Sequence, residues 1–106
     1  MGDHALAEGL AGLASRVDSL SLAASGDDKG RLEAQEDRLT KLALAAIAQD
    51  MDATNARYRD AVDGVAAAID AIGAADRKIE NVAHVIALVA KALDVAEKVV
   101  KKAAGV

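Results

Sequence analysis

The chain has 106 residues, of which 53% are hydrophobic, and a formal net charge of −4, so it is long enough for one small domain. The negative charge and the single aromatic residue, Tyr58, argue against nucleic-acid binding, which needs a basic face and, for single strands, aromatic side chains that stack on bases. Cysteine is absent, which excludes disulfides and thiolate metal sites.

The composition favours helices throughout. Alanine, the best helix former, supplies 27 residues, and proline, the strongest helix breaker, is absent. Because alanine buries little apolar area, the core must come from Leu, Ile and Val. The sequence therefore predicts an all-α fold with one domain over 1–106. We expect an antiparallel helical hairpin or three-helix bundle with a long, coiled-coil-like second helix.

A first helix is predicted over about residues 3–24. Its large apolar side chains recur at spacings of four and three, which places them on one stripe: Leu6, Leu10, Leu13, Val17 and Leu20. Gly9 and Gly12 lie within this segment, and each weakens the helix by about 1 kcal/mol relative to alanine. We therefore expect this helix to require a partner surface.

The second helix is predicted over about residues 29–72, after the segment SGDDKG at 25–30. Two glycines flanking polar residues are a strong loop signal. Ser25 or Gly26 is expected to end the first helix, and Asp27 or Asp28 is a candidate N-cap for the second.

A seven-residue repeat begins in this second segment. Counted in sevens from Leu44, every position is large and apolar or aromatic: Leu44, Met51, Tyr58, Val65, Ile72, Ile79, Ile86, Leu93 and Val100. A parallel set begins at Ile47 and recurs with the same period. These nine positions, called here the heptad seam, predict a helix-to-helix interface of the coiled-coil kind.

The seam crosses a candidate turn. Gly73 followed by Asp76 indicates a helix end and a new N-cap, and predicts a third helix over about 76–103. The unbroken seven-residue phase favours one continuous rod of about 73 residues, roughly 110 Å long. The sequence leaves both arrangements open, with the turn preferred.

The C-terminal segment combines a wide apolar arc with an outward row of lysines. The arc predicts burial against more than one neighbouring helix, and ion pairs are expected between Asp94 and Lys98 and between Glu97 and Lys101. Residues 74–106 carry six basic and four acidic side chains. Four lysines are candidates for contact with an anionic surface: Lys91, Lys98, Lys101 and Lys102. No apolar run is long enough to span a bilayer, and the interfacial anchors Trp and Phe are missing.

Catalytic and metal-binding patterns are weak. Glu80 and His84 are four residues apart on one helix face, but two ligands do not make a metal site. The segment 50–61 resembles a calcium-binding loop at its first positions, yet it lacks the required glycine and the closing glutamate. We therefore expect no enzymatic activity, no metal and no cofactor.

These observations lead to a functional hypothesis. We expect a non-catalytic helical interaction or scaffolding module that self-associates, or binds another helical protein, through the heptad seam. The alternative is a peripheral protein of a membrane or granule surface that uses the amphipathic C-terminal helix. The N-terminus lacks the basic residues of a secretory signal, so a cytoplasmic location is expected.

Overall fold

The computed structural model describes residues 4–48, 55–75 and 82–103. These described residues form four helices: α1 (Ala5–Ala23), α2 (Gly26–Ile47), α3 (Ala56–Ala75) and α4 (Val82–Ala103). The described residues contain no strand. The prediction of an all-α fold is therefore confirmed.

The helices pack around one core, and each helix packs mainly against two others. α1 packs mainly against α2 and α3, and α4 packs mainly against the same two helices. α1 and α2 are antiparallel because only Ala24 and Ser25 connect them. α1 and α3 begin at the same end of the molecule, since the Leu6 backbone amide donates a hydrogen bond to Tyr58 Oη at 3.1 Å.

The structure divides the predicted second helix, 29–72, into α2 and α3. Asn55 Oδ1 accepts hydrogen bonds from the backbone amides of Arg57 at 2.9 Å and Tyr58 at 3.3 Å, and so caps the start of α3. Asn is a preferred N-cap residue because its side chain satisfies amides that have no partner within the helix. The sequence prediction missed this helix start because the heptad spacing continues in phase on both sides of it.

The continuous rod is excluded. α3 and α4 pack against each other, and the longest dimension of the molecule is 41 Å, whereas the rod would span roughly 110 Å. α3 continues through Gly73 to its end at Ala75, so Gly73 does not end the helix as predicted. The predicted N-cap, Asp76, lies outside the described residues.

The connection between α1 and α2 is tighter than the predicted loop at 25–30. Ser25 is extended, and Gly26 has a φ of 64°, a left-handed conformation that glycine adopts without steric cost. α2 begins at Gly26, so Asp27 and Asp28 lie in its first turn instead of acting as N-caps. Carboxylates at this position interact favourably with the positive end of the helix dipole.

Leucine, valine and alanine side chains build the core. The predicted stripe of the first helix is entirely buried, so this face of α1 packs against other helices of the chain. The largest fully buried side chains come from all four helices: Leu6, Leu10, Leu13, Val17, Leu32, Leu39, Val65, Val85, Val89 and Leu93. Alanine fills several of the remaining core positions, so neighbouring helices can lie close together.

Gly9 marks a close approach between α1 and α3. A Cβ atom at Gly9 would lie 3.1 Å from Val65 Cγ1, whereas a Cβ atom at Gly12 would meet no atom within 4 Å. The two glycines lie on the same helix and carry the same intrinsic helix penalty. Packing against α3 therefore crowds an added methyl group at the first position and leaves room for one at the second.

The Gly12→Ala substitution is expected to raise the free energy of unfolding by about 0.5–1 kcal/mol, because alanine is the better helix former. Gly9→Ala brings the same gain, but its methyl group presses on Val65, so we expect a net loss of about 1 kcal/mol. Urea unfolding followed by circular dichroism measures both. Equal stabilisation by the two substitutions would show that α3 yields to the added methyl group.

Candidate functional site

Most of the described heptad seam lies inside the core of a single chain. Its buried members are Tyr58, Val65, Ile72, Leu93 and Val100. Ile86 is half-buried, and Met51 and Ile79 lie outside the described residues. The buried members already contact other helices of the same chain, so a second molecule could reach them only if the fold opened.

Leu44, the first position of the seam, is instead exposed to solvent. Its side chain is 66% exposed, and that of Ile47, three residues later on α2, is 57% exposed. Residues three apart on a helix are neighbours on its surface. The other exposed large apolar side chain in the described part of the chain is Leu22 of α1. Leu44 and Ile47 therefore form one small exposed apolar patch near the end of α2.

A groove between α1 and α2 runs beside this pair and has a volume of about 330 Å³. Besides Leu44 and Ile47, its lining consists mainly of small and polar side chains: Ala11, Ala14, Ser15, Asp18, Glu36, Thr40 and Ala43. Because α1 and α2 are antiparallel, Asp18 and Glu36 lie at the end nearer the connection between them. Leu44 and Ile47 lie at the opposite end, so the groove has one acidic and one apolar end.

Within the described residues, no salt bridge neutralises the acidic end of the groove. No lysine or arginine lines the groove, and among the described residues neither Asp18 nor Glu36 takes part in a salt bridge. The nearby Asp37, by contrast, pairs with Lys41 on the same helix at 2.9 Å. A ligand with one basic end and one apolar end would match this groove in charge and polarity.

The lysines predicted to contact an anionic surface are all exposed on α4: Lys91, Lys98, Lys101 and Lys102. The expected intrahelical ion pairs are not formed in the described part of the chain. Glu97, expected to pair with Lys101, instead binds Arg38 of α2 at 2.6 Å. The lysine ammonium groups therefore remain available for an external partner.

The apolar face of α4 is used within the chain. Val85, Val89 and Leu93 are fully buried, and α4 packs against both α2 and α3, as the width of its apolar arc predicts. In the described part of the chain, no helix combines the length and the hydropathy needed to cross a bilayer. Insertion of this face into a lipid surface would require α4 to leave the core.

In the described part of the chain, the fold does not bring together the residues of the weak metal-binding patterns. Among the described residues, no three histidine, aspartate or glutamate side chains form a group that could hold a metal ion. His84 is exposed on α4, and Glu80, its predicted neighbour, lies outside the described residues. Residues 50–54, which begin the segment resembling a calcium-binding loop, also lie outside the described residues.

Gln35 is a buried polar residue that the sequence analysis missed. Only 7% of it is exposed, and its Nε2 donates a hydrogen bond to the backbone carbonyl of Ile86 on α4 at 2.9 Å. Its Oε1 has no hydrogen-bond partner in the described part of the molecule. The signal was present in the sequence, since Gln35 lies between Leu32 and Leu39 at helical spacing and so belongs to the buried stripe of α2.

The chain matches no protein-family model, and comparison with curated proteins and with solved structures finds no match. The acidic and apolar groove and the unpaired lysine row of α4 are therefore the features from which a function can be proposed.

Replacing Gln35 with leucine tests the cost of its buried amide. Leucine has a similar size and leaves no polar atom without a partner, so Gln35→Leu is expected to raise the free energy of unfolding by about 1 kcal/mol. The control Gln35→Ala removes the same amide but leaves a void, and is expected to lower it by about 1–2 kcal/mol. A large loss of stability in the leucine variant would show that the bond to Ile86 outweighs the unpaired oxygen.

Proposed function

We propose that this protein is a non-catalytic helical interaction module that associates by packing a helix into the groove between α1 and α2. The observation that carries the proposal is the exposure of Leu44 and Ile47 side by side along that groove. Covering an aliphatic side chain of this size contributes about 1.5–3 kcal/mol when burial is complete. Two adjacent side chains therefore supply a useful part of a binding energy.

The shape of the groove supports a helix as its occupant. An amphipathic helix binds such a groove by inserting apolar side chains spaced three and four residues apart. On the α2 side, the groove extends from Glu36 to Ile47, two residues that are eleven positions and about 16 Å apart, which is roughly three turns of a bound helix. The groove thus offers the length over which several such side chains can insert.

The proposed contact is confined to the start of the heptad seam. Leu44 belongs to the seam and is exposed, whereas Val65 and Ile72 are 1% and 3% exposed. Introducing aspartate at either of those two positions would place an unpaired charge in the core and unfold the chain. Only the exposed members of the seam can report on association without loss of the fold.

The double substitution of serine for Leu44 and Ile47 is expected to abolish self-association. The unaltered chain should show an average mass that rises with concentration, while the double variant remains monomeric. Size-exclusion chromatography with multi-angle light scattering, from micromolar to millimolar concentration, makes this comparison. The fold should be retained, because exposed substitutions change stability by about 0.5 kcal/mol or less.

Leu22→Ser is the matched control for this experiment. Leu22 is 74% exposed, but it is not among the groove-lining residues and lies near the opposite end of α1 from Ala11. Its substitution should leave association unchanged. An unaltered chain that stays monomeric throughout, or a double variant that still associates, would contradict self-association through this groove.

A second candidate function is peripheral binding to an anionic membrane or granule surface. It is favoured by the unpaired, exposed lysines near the C-terminal end of α4. Since the apolar face of α4 lies in the core, such binding would depend on charge, with about 1 kcal/mol for each lysine near the surface.

Flotation with vesicles containing phosphatidylserine tests this second function, with neutral phosphatidylcholine vesicles as the control. We expect binding to the anionic vesicles only, weakening as salt is added, and lost when Lys98, Lys101 and Lys102 are replaced by glutamate. Equal flotation of the unaltered chain and the triple variant would rule out the electrostatic contact.

A further inference from the structure

We infer that the groove between α1 and α2 receives α4 of a second copy of this chain, so that the molecules associate head to tail. This inference rests on the proposed function and specifies the occupant of the groove. It is carried by the match in charge, length and apolar pattern between two separate surfaces of one molecule.

The charges of the two surfaces are opposite. α1 and α2 together carry seven acidic and five basic side chains, a net charge of −2, whereas α4 carries four basic and two acidic side chains, a net charge of +2. Asp18 and Glu36 of the groove and Lys98 and Lys102 of α4 form no salt bridge within the described residues. Pairing them between copies therefore breaks no existing ion pair.

The exposed face of α4 carries a basic row, and an apolar row of the same spacing lies along the edge of that face, where it packs against the core. The basic row is Lys91, Lys98 and Lys102, and the half-buried apolar row is Leu88, Val95 and Val99. Each row has steps of seven and four residues, which keeps its members on one side of a helix. The first and last lysines of the basic row, Lys91 and Lys102, are eleven positions or about 16 Å apart. This separation equals the length of the α2 side of the groove.

The two surfaces also match in direction. Three lysines cluster at 98–102, at the C-terminal end of α4, while the acidic residues of the groove lie at its end near the α1–α2 connection. Charge pairing therefore sets this end of α4 against Asp18 and Glu36. Leu88, toward the other end of α4, then lies near Leu44 and Ile47, where it extends the apolar contact.

A symmetric pairing of two grooves is disfavoured by the same charges. It would leave the carboxylates of both copies without cationic partners, because no lysine or arginine lines the groove in the described part of the chain. The contact between a groove and α4 uses two different surfaces, so each molecule retains one free surface of each kind. Such assembly closes into a ring or continues beyond the dimer.

Charge reversal in the full-length chain tests this pairing. One variant carries Asp18→Lys and Glu36→Lys, and a second carries Lys98→Glu and Lys102→Glu. Each variant alone should need a concentration at least about tenfold higher to associate, because like charges then meet in the interface. An equimolar mixture of the two should associate as the unaltered chain does, and a chain with all four reversals should do the same.

The control variant, Asp63→Lys and Asp70→Lys on the exposed face of α3, carries the same change in net charge as the groove variant. It should associate normally. Circular dichroism and thermal melting verify that every variant is folded, and Lys98→Gln with Lys102→Gln replaces the glutamate variant if that one is not. Light scattering of each sample and of the mixture gives the result.

Three outcomes separate the inference from the proposed function. Restored association in the mixture, with masses above that of a dimer, supports the inference. Association that resists charge reversal but is lost in the serine variant of Leu44 and Ile47 overturns the inference and leaves the groove as a binding site. If the unaltered chain never associates, both the inference and self-association through the groove are wrong.

Discussion

Close approach of the helices is the constraint on which this fold depends. The chain has neither Phe nor Trp, so buried area must come from many aliphatic and alanine contacts at short range instead of a few large rings. This requirement is visible where Gly9 approaches Val65. It is also visible in the complete burial of three alanines: Ala61, Ala68 and Ala96. Small residues therefore decide where one helix can lie against the next.

The proposed binding surface follows from the same reliance on small side chains. Where α1 and α2 lie close together, Ala11, Ala14 and Ala43 leave a shallow groove, because alanine side chains do not fill the space above the contact. Leu44 and Ile47 lie beside this groove and outside the core. Two of the three large apolar side chains that remain exposed in the described part of the chain therefore lie at this groove, and Leu22 does not.

A few polar contacts distinguish one helix pair from another in an interior that is otherwise chemically uniform. Tyr58 Oη receives the amide of Leu6 and joins α3 to α1, while Gln35 binds the carbonyl of Ile86 and Arg38 binds Glu97, both joining α2 to α4. Interfaces of Ala, Leu and Val can be satisfied by several pairings. We interpret the contacts of Tyr58 and Gln35, which are buried or partly buried, as features that select this one, a role that buried polar groups have in some helical proteins.

Helical periodicity shows which face of a segment is apolar. The sequence alone therefore predicted the all-α class, the buried stripe of α1, and the outward lysines of a C-terminal helix that packs against two neighbours. The helix start at Asn55, the burial of Tyr58 and Val65 within one chain and the exposure of Leu44 could not be read in the same way. Two antiparallel helices sharing a core and one continuous coiled coil call for the same seven-residue spacing. Which neighbour covers each stripe, and which stripe remains uncovered, depends on contacts between residues distant in the chain.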